Sequence, residues 1–217
     1  RRHACRPPRH RPGRVGLDDF GRPDGYLERQ LNRWARQWES SKTTDRPEVA
    51  VLLDKLGRAL PPRSRFPGIV HGDVKLDNVL VSRDDPARIV TVLDWEMATL
   101  GGDTLADVGI MLSFWDIPGR PVNPITRGGL ATLDGFPSRA ELLERYASRR
   151  GVELPEVDWY VVFADFKIAV ILEGIAARHA QGETVGEGFD GVGDMAEPLL
   201  QRALELAARS SDPELRR

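Results

Sequence analysis

Apolar residues recur along this chain first at helical spacing, then in short strand-like runs, then at helical spacing again. From Pro23 onward, Leu27, Leu31, Trp34 and Trp38 fall at i, i+4, i+7 and i+11. This predicts an amphipathic helix whose stripe faces the core, with Asp24 as a candidate cap. A second helix is predicted over Glu48 to Leu60, with Val49, Leu52, Leu53, Leu56 and Leu60 on one face and Pro61-Pro62 as its stop. The period then changes. Val79-Leu80-Val81 and Ile89-Val90-Thr91-Val92-Leu93 are β-branched runs separated by the polar segment Ser82–Arg88, which carries Asp-Asp-Pro turn chemistry. This pattern predicts a β-hairpin.

Helical spacing resumes after Gly101-Gly102, which reads as a break. Asp103 or Thr104 is placed to cap a helix carrying Leu105, Val108, Ile110, Met111, Leu112 and Phe114. Residues Trp115 to Phe136 are rich in Pro and Gly and predict a loop. Ser138 opens a helix through Arg150 that Gly151 is placed to end. From Val157 to Gln181 the chain is apolar on nearly every side, which is the pattern of a membrane span or of a buried central helix. Asp165, Lys167 and Glu173 interrupt it, and charges are costly in lipid, so the buried helix is the expectation. Lys167 in such a helix is expected to snorkel or pair with a carboxylate, with a phosphate or anionic substrate as its functional alternative. Gly186-Glu-Gly-Phe-Asp-Gly191 satisfies G-x-G-x-x-G but follows a helix rather than a strand. It is read as a linker to a last helix over Met195 to Arg209.

Composition narrows the function classes. The 217 residues are 41% hydrophobic and 29% charged with a net charge of −2, ordinary for a globular protein and without the basic footprint of nucleic-acid binding. Cys5 is the only cysteine, which excludes an intrachain disulfide and a cysteine metal site and suits a reducing cytoplasm. Neither nucleic acid nor a membrane is an expected partner. Residues 1–14 are Arg-, His- and Pro-rich, so a disordered basic tail is expected, with an anion-binding arm as the alternative.

The chemistry concentrates around the predicted hairpin. Asp73 and Asn78 stand in the spacing D-x-x-x-x-N, and Asp94 ends the second apolar run. This spacing matches the catalytic loop and metal-binding Asp of kinases, where one Asp takes the acceptor's hydroxyl proton while the Asn and the second Asp hold magnesium. Phosphoryl transfer asks for position and charge rather than covalent chemistry. One carboxylate, one amide oxygen, waters and phosphates complete a magnesium shell. The hairpin would bring Asn78, at the start of one strand, beside Asp94, at the end of its partner.

His71-Gly72-Asp73 with Asn78, then Asp94-Trp95-Glu96, then Gly102-Asp-Thr-Leu-Ala-Asp-Val-Gly109, resembles the aminoglycoside phosphotransferase and choline kinase-like family of small-molecule kinases. Gly16–Gln30 and the Trp34 to Lys42 stretch are similar to its branch of kinase-like domains associated with acyl-CoA dehydrogenases. The resemblance implies ATP as phosphate donor, Mg²⁺ held by Asn78 and Asp94, Asp73 as base, and a small molecule bearing a hydroxyl as acceptor. Gly72 replaces the protein-kinase Arg that can pair with a phosphorylated loop, and Trp95-Glu96 replaces Phe-Gly, which argues against a protein acceptor. Asp103 and Asp107 lie near the active site by resemblance, yet capping and hydrogen bonding to loop backbone is their expected role.

The expected fold is therefore α+β, a mainly helical kinase-like C-terminal lobe over residues 15–217 with a small hairpin. No glycine loop on a strand and no strand lysine precede His71, so the nucleotide lobe is expected to be missing from this chain or supplied separately. Three function classes follow: a small-molecule kinase, weak or inactive as this chain alone; a binding or scaffold protein descended from one; and an inactive gene fragment.

Overall fold

The computed structural model describes residues 16–17, 20–115, 123–126 and 133–217. The expected basic tail over residues 1–14, and much of the expected loop between Trp115 and Phe136, lie outside the described residues. In chain order the elements are α1 (Tyr26–Ser41), α2 (Pro47–Arg58), β1 (Pro67–Val70), β2 (Val79–Val81), β3 (Ile89–Val92), β4 (Thr99–Asp103), α3 (Leu105–Ser113), α4 (Arg139–Arg150), α5 (Asp158–Ala180), α6 (Ala196–Ala208) and α7 (Pro213–Arg216).

Helix α5 is the axis of the molecule, and α6, α3, α1 and α2 all pack against it. It is buried all round from Trp159 to Val170 and apolar there except at Asp165 and Lys167, so only a position inside a bundle removes its whole circumference from water. Among the described residues no helix is long and apolar enough to cross a membrane. The charges inside α5 are each met by partners. Asp165 accepts from Arg202 of α6, at 3.0 Å from Nε, and from Ser113 at the end of α3. Glu173 accepts from the amide and hydroxyl of Thr43, tying down the turn after α1. The backbones of α3 and α5 approach so closely that a Cβ at Gly109 would stand 2.4 Å from the Tyr160 carbonyl oxygen. Gly109→Ala should therefore force the two helices apart and cost about 1–3 kcal/mol or more, read as a lowered urea midpoint at unchanged m-value.

The stripe read from the sequence is the buried face of α1, where Leu27, Leu31, Trp34 and Trp38 join the core. Its start differs from expectation. Gly25 in a left-handed conformation occupies the cap position, and Asp24 makes no side-chain cap. Helix α4 begins as read, with a capping box between Ser138 and Glu141, and ends at left-handed Gly151. Gly186–Gly191 forms turns leading to a short 3-10 turn at Val192–Met195 and then α6.

The hairpin forms as predicted, β2 pairing antiparallel with β3 and Val79 opposite Val92. A second strand pair was not predicted. β1 pairs antiparallel with β4, so Gly101-Gly102 does not break the chain but lies inside a strand. The glycines are there for space: a Cβ at Gly102 would stand 2.6 Å from Val70, and Gly101 has φ 74. α7 is also additional. Its Leu215 is fully buried, and Lys55 of α2 donates to the carbonyl of Arg216 at 2.9 Å.

Candidate active site

The segment from His71 to Asn78 leaves β1 and closes in a 3-10 turn over Leu76–Asn78. Its shape is imposed by side chains of the helical bundle. Asp107, in the first turn of α3, accepts from the amides of His71 and Gly72, each at 2.8 Å. Burial pushes the Asp107 carboxyl above its ordinary range, and these two amides pull it back by holding its charge. Gly72 adopts φ 87, and a Cβ there would stand 2.7 Å from the Met97 carbonyl oxygen, so glycine is required.

His71 joins this segment to the strand end that carries Asp94. Its Nδ1 accepts from the Asp73 amide at 3.2 Å, which leaves the proton on Nε2, 2.8 Å from the Leu93 carbonyl oxygen. The Leu93 amide donates to the Asn78 carbonyl at 2.8 Å. Leu93 is thus held at both polar groups, and the next residue, Asp94, is the one described non-glycine residue with positive φ, at 68. Asp tolerates the left-handed region better than most residues, but the conformation still costs energy, and such outliers persist where surrounding bonds over-determine them.

Asp73 and Asn78 are joined directly. Asn78 Nδ2 donates to the Asp73 carbonyl at 2.9 Å and to Asp73 Oδ2 at 3.0 Å, which turns Asn78 Oδ1 away, free to face a cation. Lys75 Nζ lies 2.6 Å from the same Asp73 Oδ2. Among the described residues Asp73 Oδ1 has no partner, so one oxygen of this carboxylate is anchored and the other is available. Glu96 lies two residues after Asp94, and interaction with the Asp94 carboxyl, reinforced by the charges of Asp94 and Asp73, raises its pKa. Trp95 stacks obliquely on His71 with ring centroids 4.6 Å apart, closing one side.

The oxygens of Asp73, Asn78 and Asp94 are hard donors, and the accumulated negative charge of Asp73, Asp94 and Glu96, which raises the pKa of Glu96, is what a divalent cation would relieve. The residues therefore fit magnesium. Among the described residues no three His, Cys, Asp or Glu side chains form a metal cage by themselves. A magnesium site that borrows phosphate oxygens and keeps its waters does not require one.

Below this segment, Lys167 of α5 donates to the Gly72 carbonyl, with its ammonium 5.2 Å from the centroid of the Trp34 ring. Burial pulls Lys167 down to about 8, against the opposing charges of Asp73 and Asp107. Asp103 is fully buried and structural. It accepts from the Arg65 amide at 2.8 Å, the Leu105 amide at 3.1 Å and the Tyr160 hydroxyl at 2.9 Å.

The structure thus joins Asp73 to Asn78 directly and ties the backbone before Asp94 to the same segment through Leu93. It adds His71, Lys75 and Glu96, for which sequence reasoning had named no site role, and Lys167, expected to snorkel or pair with a carboxylate or else to reach a phosphate or anionic substrate, which instead donates to the Gly72 carbonyl. The motif H-G-D-x-K and the pair Asp94-Trp95-Glu96 contained all but the last; Lys167 had only its oddity as a charge in an apolar helix to mark it.

Comparison with known proteins gives a concordant result. The model of a family described as the phosphotransferase enzyme family matches residues 3–166. Acyl-CoA dehydrogenase family member 11 of Gallus gallus is 33% identical over 202 residues, covering 91% of this chain and 26% of that protein. The human protein of the same name is 31% identical, covering 89% of this chain and 25% of that protein. The chain spans about a quarter of the length of these curated relatives. A crystal structure of a candidate aminoglycoside phosphotransferase from Ralstonia eutropha JMP134 superposes with TM-score 0.77 at 32% identity, over 94% of this chain and 61% of that one.

Proposed function

This chain belongs to the phosphotransferase enzyme family, and from that premise we propose that it transfers the γ-phosphate of ATP to a hydroxyl group of a small molecule. The observation that supports the reading is the double anchoring of Leu93, which ties the backbone leading into Asp94 to Asn78 and to the segment that carries the half-free carboxylate of Asp73. Asp73 Oδ1 receives the acceptor's hydroxyl proton as the new phosphate ester bond forms, while Oδ2 stays held by Lys75 and Asn78. Asn78 Oδ1 and the Asp94 carboxylate would hold magnesium, which neutralises charge on the phosphates when bound. Lys75, cationic and part-buried, is placed to attract the phosphoryl group as it moves toward Asp73.

Acceptor-dependent ADP formation that needs magnesium tests the reading. The name of the longer relatives, acyl-CoA dehydrogenase, directs the acceptor panel first to hydroxylated acyl compounds. Absence of transfer across acceptors that bind by calorimetry would favour a binding role instead.

The nucleotide side of the site makes a separate prediction. Leu80 and Val90 on the hairpin are 50% and 59% exposed, and the described residues before His71 supply two helices and β1 but no strand with a glycine loop. Residues 1–217 expressed alone should therefore bind Mg-ATP weakly and turn over little, since enclosure between two lobes aligns the phosphates and proximity can be worth ~7–11 kcal/mol. Micromolar affinity by calorimetry together with turnover would overturn this.

A further inference from the structure

Lys167 is a charge in the wrong place for stability alone. It lies in the middle of α5 at 6% exposure, where a leucine would pack at no electrostatic cost. Among the described residues no carboxylate reaches salt-bridge distance of its ammonium. Its neighbours are the Trp34 ring from α1, the more distant charges of Asp73 and Lys75 in the catalytic segment, Asp107 of α3 and Arg33 of α1, and one direct acceptor, the Gly72 carbonyl. That acceptor is half of the peptide group that carries Asp73. The other half, the Asp73 amide, donates to His71 Nδ1. Both polar groups of one peptide plane are thus fixed by side chains that come from different elements, and the plane leads directly into the Asp73 Cα.

We infer that Lys167, braced on the Trp34 ring, is a positioning residue for the base: by holding the Gly72–Asp73 peptide plane it sets the direction in which the Asp73 carboxylate points. The inference rests on the phosphotransferase reading above for its catalytic consequence, but not for its structural one. Lys167 touches neither of the residues assigned to magnesium. Its loss should therefore misdirect the base without weakening the hold on nucleotide or acceptor.

The test is Lys167→Met in the full-length protein, which keeps the apolar stem and removes the donor. The expected result is a kcat lowered on the order of 10–100-fold, as for a small misplacement of a reacting group. KM for ATP and acceptor should stay within about twofold. Hydrogen exchange should rise over residues 69–78 while α1 and α5 keep their protection, and Lys167→Arg should recover part of the kcat. A folded Met variant with wild-type kcat overturns the inference. So does a loss of activity accompanied by faster exchange throughout α1 and α5, which is what a merely structural lysine would give. If the wild-type protein transfers no phosphate to any acceptor, the function reading fails and the exchange measurement alone decides whether Lys167 holds the segment. If the Met variant does not fold, the wild type still decides: with ¹⁵N lysine and ¹³C glycine carbonyl labels, a correlation across the Lys167–Gly72 hydrogen bond is expected, and its absence overturns the inference.

Discussion

Asp73→Asn should lower kcat by about 10²–10⁴-fold, the usual contribution of a general base, while the thermal midpoint and the magnesium dependence stay close to wild type. The two side chains are nearly the same shape, and an amide oxygen in the place of Oδ2 still accepts from Lys75 and Asn78, which hold that position at 2.6 Å and 3.0 Å. The backbone is unaffected, because the Asp73 amide is fixed by His71 and not by its own side chain. What disappears is the proton-accepting oxygen Oδ1, whose place is taken by an amide NH2 that cannot act as a base. The loss should therefore fall on the chemical step, so kcat and kcat/KM drop together. An Asp73→Asn protein with undiminished kcat would remove Asp73 from the role of base. A protein that lost its fold would instead show that the carboxylate's charge, balanced against Lys75, holds the segment together.

The segment around Asp73 is rigid because it borrows its geometry from the bundle. Asp107 on α3 and Lys167 on α5 grip the peptide groups around Gly72 from helices that are themselves packed together at Gly109. The strand end carrying Asp94 is then tied to the same segment through His71 and Asn78. The proposed base and the proposed metal ligands thus share one framework although 21 positions separate Asp73 from Asp94. Preorganisation of this kind is what phosphoryl transfer demands of a protein.

Much of this was legible in the sequence, and what was not has a physical reason. Helical periodicity located α1, α2 and α5 because one face or the whole surface of each must be buried. The β-branched runs located the hairpin because side chains there lie on a pleated surface. Asp73, Asn78 and Asp94 were marked as candidates by spacing, since the chemistry of phosphoryl transfer fixes residue types at defined offsets. The pairing of β1 with β4 was hidden because β4 contains Gly101-Gly102, which carry no side-chain pattern and read as a break. Asp107 does what was expected of it, hydrogen bonding to loop backbone, but the contacts of His71 and Lys167 were hidden for a different reason. Their partners are backbone atoms, and a carbonyl or an amide leaves no mark in the sequence of the residue that bears it. The pairing of Asp165 with Arg202 joins α5 to α6 at a separation that no local pattern encodes.

Asp94→Asn and Asp94→Ala should both raise the magnesium concentration needed for half-maximal nucleotide binding, by more than the roughly 10-fold that loss of even an outer-shell partner can cost. Asp94 is assigned as a ligand because its charge acts on Glu96 and the residue before it, Leu93, is bonded to Asn78, whose Oδ1 is the other free hard donor. Removing its charge leaves magnesium with one neutral protein oxygen, which binds a divalent cation far less well than a carboxylate does. The two substitutions then separate geometry from charge. Asn tolerates the φ of 68 at this position, so Asp94→Asn should lose magnesium affinity with little loss of stability. Ala does not tolerate it as well, and Asp94→Ala should lose about 1–2 kcal/mol of stability in addition. In both, the contrast with Asp73→Asn decides the roles. There kcat collapses at an unchanged magnesium midpoint, whereas here the midpoint moves and saturating magnesium restores part of the rate. If titration of the Asp94 variants with magnesium, followed through nucleotide binding by calorimetry, returned the wild-type midpoint, Asp94 would not be a ligand and the left-handed turn at the end of β3 would need another explanation.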